Sequence, residues 1–67
     1  MEVGRNAVIV DESKLSRMYS SILHHYKNGT IVKIKSIMFG LVEIEVDIKV
    51  SPITLHGDEI AAIEVIV

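Results

Sequence analysis

The sequence predicts an α+β fold, β-α-β-β-β along the chain, with one amphipathic helix packed on one face of a mainly antiparallel four-stranded sheet. Three observations predict it. Val42, Ile44, Val46, Ile48 and Val50 alternate with Glu43, Glu45, Asp47 and Lys49, the period-two pattern of a strand with one buried face. Leu15, Met18, Tyr19, Ile22, Leu23 and Tyr26 recur at i, i+3, i+4, i+7, i+8 and i+11, which is one face of a helix. Asn6 to Val10 is a short apolar run bounded by polar residues, as expected of a strand buried on both faces inside a sheet.

Taken in order, Asn6–Val10 forms the first strand. Asp11 stands where its carboxylate caps a helix running from about Glu12 to Tyr26, with Glu12 near the positive end of the helix dipole. Asn28-Gly29 ends that helix, because glycine supplies a left-handed residue after the last turn. A right-handed crossover then places the helix on one face of the sheet.

The stretch from Thr30 to Val50 reads as a hairpin. A two-residue loop at Phe39-Gly40 would set Lys35 opposite Ile44 and mix the faces. A three-residue loop, Met38-Phe39-Gly40, pairs Ile34 with Ile44, Val32 with Val46, Lys35 with Glu43 and Lys33 with Glu45. It also puts Gly40 at the left-handed position of a turn with a bulge. Ser51-Pro52 breaks the pattern and Ile53-Thr54-Leu55 resumes it briefly, since proline belongs at a strand end or edge. His56-Gly57-Asp58 is a turn. Ile60–Val67 is rich in β-branched residues and is expected to be a strand rather than a helix.

Sixty-seven residues, 1–67, make one small domain. A chain of this size is near the lower limit for a single hydrophobic core. There is no cysteine to staple it, and 49% of the residues are hydrophobic. That is more apolar surface than one layer of elements hides, so self-association is expected. The formal net charge of −2 argues against a general nucleic-acid binder. No run approaches 18 consecutive apolar residues, so no membrane-spanning helix is expected. The start carries no basic segment followed by an apolar core, so a cytoplasmic location is the default. Abundant Ile, Val and Glu without Gln or Cys suits a thermophilic source.

Few residues suggest chemistry. Adjacent residues on a helix diverge, so His24-His25 do not ligate one metal together. Glu43, Glu45 and Asp47 would lie on one strand face in steps of ~7 Å, where Lys33 and Lys35 make them a solvated charge ladder. No serine sits in a glycine-flanked elbow and no glycine-rich phosphate loop exists. No catalytic residue, cofactor or metal ligand is assigned. Lys14, Arg17 and His24 form a thin basic stripe on the exposed side of the expected helix. Ile37, Phe39 and Leu41 cluster at the hairpin tip, opposite the main core. Ile63, Val65 and Val67 lie on a last strand whose only charged guard is Glu64.

Ala7 to Leu23, AVIVDESKLSRMYSSIL, resembles the opening strand and helix of response-regulator receiver domains. In that family a paired acidic motif after the first strand holds magnesium, and Asp11-Glu12 stand at its position. Asp47, in VDIKVSP, is similar to the phosphoacceptor followed by a proline. The family's alternating parallel strands and helices need nearly twice this length, and its later Thr and Lys positions have no counterpart. The hairpin register also sets Asp47 at the far end of the sheet from Asp11. The shared pattern of buried strand, acidic cap and amphipathic helix accounts for the likeness, and no family membership follows from it.

The expected function is a small soluble, non-enzymatic oligomerising or protein-interaction module, with Ile37, Phe39, Leu41, Ile63, Val65 and Val67 as interface residues. One alternative is a nucleic-acid-binding homodimer that uses Lys14, Arg17 and His24 on the helix face. Another is a ligand- or metal-dependent site formed between subunits.

Overall fold

A computed structural model describes residues 1–67. It contains five strands and no α-helix: β1 (Asn6–Ile9), β2 (Ile31–Met38), β3 (Leu41–Glu45), β4 (Ile53–Leu55) and β5 (Ile63–Val65). They form one antiparallel sheet in the order β4-β3-β2-β1-β5. Short 3₁₀ segments occupy the connections: η1 (Glu12–Lys14), η2 (Arg17–Tyr19), η3 (Leu23–His25) and η4 (Gly57–Ala62). The expected α+β arrangement of a helix on a four-stranded sheet is therefore wrong.

The helix expected over Glu12–Tyr26 fails for a local reason. Asp11 accepts from the backbone N–H of Ser13 at 3.1 Å, and Ser16 Oγ accepts from Met18 N–H at 3.2 Å. Each bond closes a tight turn that competes with the helical ladder. Between them the backbone is extended, with Leu15 at ψ 143° and Ser16 at ψ 133°. Ser13, Ser16, Ser20 and Ser21 interrupt a segment that has no alanine to favour a helix. The apolar spacing still had physical content, because Leu15 and Tyr26 are buried and Tyr19, Ile22 and Leu23 pack against the core. Met18 is the exception, 78% exposed on η2.

Without a helical crossover, β1 and β2 run antiparallel, not parallel. Ile9 N–H donates to Thr30 C=O and Gly29 N–H donates to Ile9 C=O, at 2.9 and 2.7 Å. The intervening residues form one long excursion, clasped at its base. Glu12 N–H donates to Asn28 Oδ1 at 2.7 Å, Asn28 N–H returns to Glu12 Oε1 at 3.1 Å, and Lys27 Nζ reaches Glu12 Oε2 at 3.0 Å.

The long alternation also ends early. β3 stops at Glu45, and Asp47 Oδ1 accepts from Lys49 N–H at 3.0 Å, closing a turn. Ile48 is 88% exposed on that turn. The pairing expected between Val32 and Val46 is absent from the ladder. Ile53–Leu55 instead becomes a full edge strand, with Pro52 just before it. Of Ile60–Val67, the first three residues belong to η4 and only Ile63–Val65 is strand. β1 does lie inside the sheet, between β2 and β5, but it ends at Ile9 and is not buried on both faces: Ala7 and Ile9 are buried, Val8 is half-buried, and Asn6 and Val10 are exposed.

Residues 56–62, six of them in η4, join the two edge strands. Leu55 of β4 and Ile63 of β5 share one core with Ile9, Ile34, Ile44 and Ile53. That core is entirely hydrophobic, and no buried side-chain N or O lacks a partner. No helix is long and apolar enough to cross a membrane.

Candidate functional site

The β2–β3 hairpin turns on two residues, not three. Phe39 and Gly40 both have positive φ, 53° and 76°, as a type I′ turn requires. Met38 then faces Leu41, Ile37 faces Val42 and Ser36 faces Glu43. Ile34 still faces Ile44 and Lys33 still faces Glu45, because a β-bulge between Ile34 and Ser36 absorbs the extra residue. The two-residue loop and the inward row of isoleucines are thus compatible once Lys35 leaves the ladder. A bulge re-aims side chains in this way.

Its chemical consequence is specific. The expected partnership of Lys35 with Glu43 does not form. Lys35 Nζ reaches Glu45 Oε2 at 3.3 Å, and Ser36 takes the place opposite Glu43, donating its hydroxyl to Glu43 Oε1 at 3.3 Å. Beside this pair lies a shallow depression of about 210 Å³, lined by Ser36, Met38, Phe39, Leu41, Glu43 and Thr54. Phe39 is 93% exposed at its rim. Ile37 lies opposite the inward-facing Val42, so it is not on the same face as Leu41, as the three-residue loop would have made it. Met38, Ser36 and Thr54 were not singled out by sequence. The break in alternation at Lys35-Ser36 was the one signal for the bulge that brings them together.

Phe39 is costly where it stands. It is the only non-glycine residue with positive φ, a region that bulky side chains enter with strain. Asparagine suits that turn position far better. Phe39→Asn is expected to raise stability by about 0.5–1 kcal/mol, measured by urea unfolding. An unchanged or lowered midpoint would mean that the ring makes compensating contacts.

The two sheet edges differ. At the β4 edge, Thr54 N–H points outward and donates to Tyr19 Oη at 3.2 Å, so the long excursion closes that edge at its centre. At the β5 edge nothing equivalent occurs. Ile66 N–H donates inward to Asn6 C=O at 2.9 Å. By the two-residue repeat of an antiparallel ladder, Val65 and Val67 turn their backbone groups outward. Ile63 is buried, Val65 half-buried and Val67 exposed.

Lys14, Arg17 and His24 are exposed, but they sit on η1, η2 and η3 respectively. The helix that would have aligned them does not exist, and the nucleic-acid reading loses its scaffold with it. His24 and His25 lie side by side, ring centroids 4.0 Å apart. His56 is 3.9 Å from Glu59. No three His, Asp or Glu side chains converge. Asp11 and Glu12, the pair that resembled a receiver-domain motif, are engaged in local structure. The Ser13 hydroxyl holds the Asp11 carboxyl below its usual range, and the Asn28 N–H, then Lys27, do so for Glu12.

The chain matches no protein-family model, and comparison with curated proteins and with solved structures finds no match.

Proposed function

We propose that this chain is a small, non-enzymatic oligomerising and protein-interaction module that self-associates by adding the β5 edge of one copy to that of another. The asymmetry of the two edges carries the reading. Tyr19 occupies the β4 edge, whereas β5 and the two residues after it present Val65, Ile66 and Val67, with Glu64 as the only charged side chain. An unguarded apolar edge is a template for strand addition, and two identical antiparallel edges meet about a two-fold axis. Exposed Val10, Ile31 and Ile66 add apolar surface to the chain.

Sedimentation velocity at micromolar concentration tests it. A dimer is expected. Val65→Pro deletes an outward N–H without removing a bond to β1, and should raise the dissociation constant at least about tenfold. Val67→Lys, at an exposed position, should act in the same direction and protects the test against misfolding. A wild-type chain that sediments as a monomer throughout would sink the reading.

A further inference from the structure

The depression at the β2–β3 tip holds a half-buried glutamate with no cation beside it. Four glutamates are half-buried: Glu12, Glu43, Glu45 and Glu59. Glu12 and Glu45 have a lysine partner, Lys27 at 3.0 Å and Lys35 at 3.3 Å, and Glu59 lies 3.9 Å from His56, a cation only when protonated. Glu43 has only the Ser36 hydroxyl. The bulge is the cause, since it gives Lys35 to Glu45 and leaves Glu43 without a cation.

We infer that this depression receives an arginine side chain presented by a partner polypeptide. Glu43 supplies the negative charge. Met38 and Leu41 offer apolar surface to the methylene stem. Phe39, held outward by its turn, offers a ring face to a guanidinium. The Ser36 and Thr54 hydroxyls line the same depression and can accept from a group that carries five donors in a planar fork. Size favours a single side chain. About 210 Å³ is below the ~300–1,000 Å³ of pockets that take whole small molecules. Strain points the same way: Phe39 sits at positive φ with an almost fully exposed ring, and strained residues gather where a ligand is clamped. The site lies toward the β4 side of the sheet, away from β5, so it does not rest on self-association.

Methyl-detected NMR tests it, reading Met38, Leu41 and Thr54 during titration with the peptide acetyl-Gly-Ser-Arg-Ser-Gly-amide. Saturable shifts at these three methyl groups are expected, with little response to the same peptide carrying citrulline, which keeps the shape and loses the charge. Glu43→Gln should weaken binding at least about tenfold, Phe39→Ala should weaken it too, and Lys14→Ala should not. The inference is overturned by an unsaturable response, by equal binding of the citrulline peptide, or by an unaffected Glu43→Gln protein. It is also overturned if tetramethylammonium binds as well as the peptide, which would make the site one for small cations. A second copy is the occupant instead if the three methyls shift on self-dilution and Arg5→Ala or Arg17→Ala abolishes that shift. Because Val65→Pro leaves the depression intact, its monomeric form serves to separate this result from failure at the β5 edge.

Discussion

Tyr26→Ala is expected to lower the stability of this domain by about 3–5 kcal/mol, the range for truncating a large buried aromatic. Tyr26 is the largest fully buried side chain, with 0% exposure. It also carries a polar tether, its hydroxyl donating to Ser51 C=O at 2.9 Å. It thus joins the end of the long excursion to the β3–β4 loop, while Tyr19 binds the same excursion to β4. A domain of this length has roughly 3–10 kcal/mol in total, so the alanine variant should be largely unfolded near physiological temperature. Tyr26→Phe keeps the ring and loses the tether. Ser51 is exposed, its carbonyl can turn to water, and the cost should be about 0.5–1.5 kcal/mol. Urea unfolding with an unchanged slope checks both. Burial raises the Tyr26 pKa. A raised folded value means stability is fully present below the ordinary tyrosine pKa and is lost as pH rises through the folded one. Tyr26→Phe should therefore blunt alkaline unfolding. If the alanine variant unfolds at the wild-type midpoint, the excursion does not cover the core as described.

The pattern of burial was legible in the sequence where side-chain alternation is set by the pleat. Val32, Ile34, Val42 and Ile44 face inward as their spacing requires, and the Lys33–Glu45 and Ile34–Ile44 register is kept. Elsewhere one pattern served two structures. Leu15, Tyr19, Ile22 and Tyr26 meet the core as a helix face would, yet they do so from within and beside three separate 3₁₀ turns, because Asp11 and Ser16 bind local N–H groups. Periodicity records which residues seek the core; it does not record how the backbone between them satisfies its hydrogen bonds. The bulge was hidden for a related reason. Phe39-Gly40 and Met38-Phe39-Gly40 are both sensible loops, and a bulge at Lys35 decides between them only once pairing on both sides is formed. The depression around Glu43 depends on that bulge, and neither Ser36 nor Thr54 is conspicuous in the linear chain.

A matched pair of substitutions separates the alternating pattern from the fold it produced. Ile44→Ala is expected to cost about 2–5 kcal/mol, whereas Ile48→Ala should stay within about 0.5 kcal/mol of wild type. Both isoleucines occupy the same phase of the run Val42–Val50, and one continuous strand would bury them alike. Ile44 is fully buried on β3, between Ile34 of β2 and Ile53 of β4, so removing its methyl groups opens a cavity that three strands cannot close. Ile48 projects from the turn that Asp47 closes over Lys49. Chemical denaturation of both variants decides the matter. Comparable losses at the two positions would show that β3 continues past Glu45 and that Ile48 is covered. The contrast also bears on association, because an Ile48 contact in a dimer would make the Ile48→Ala cost grow with protein concentration, whereas the loss at Ile44 should be independent of it.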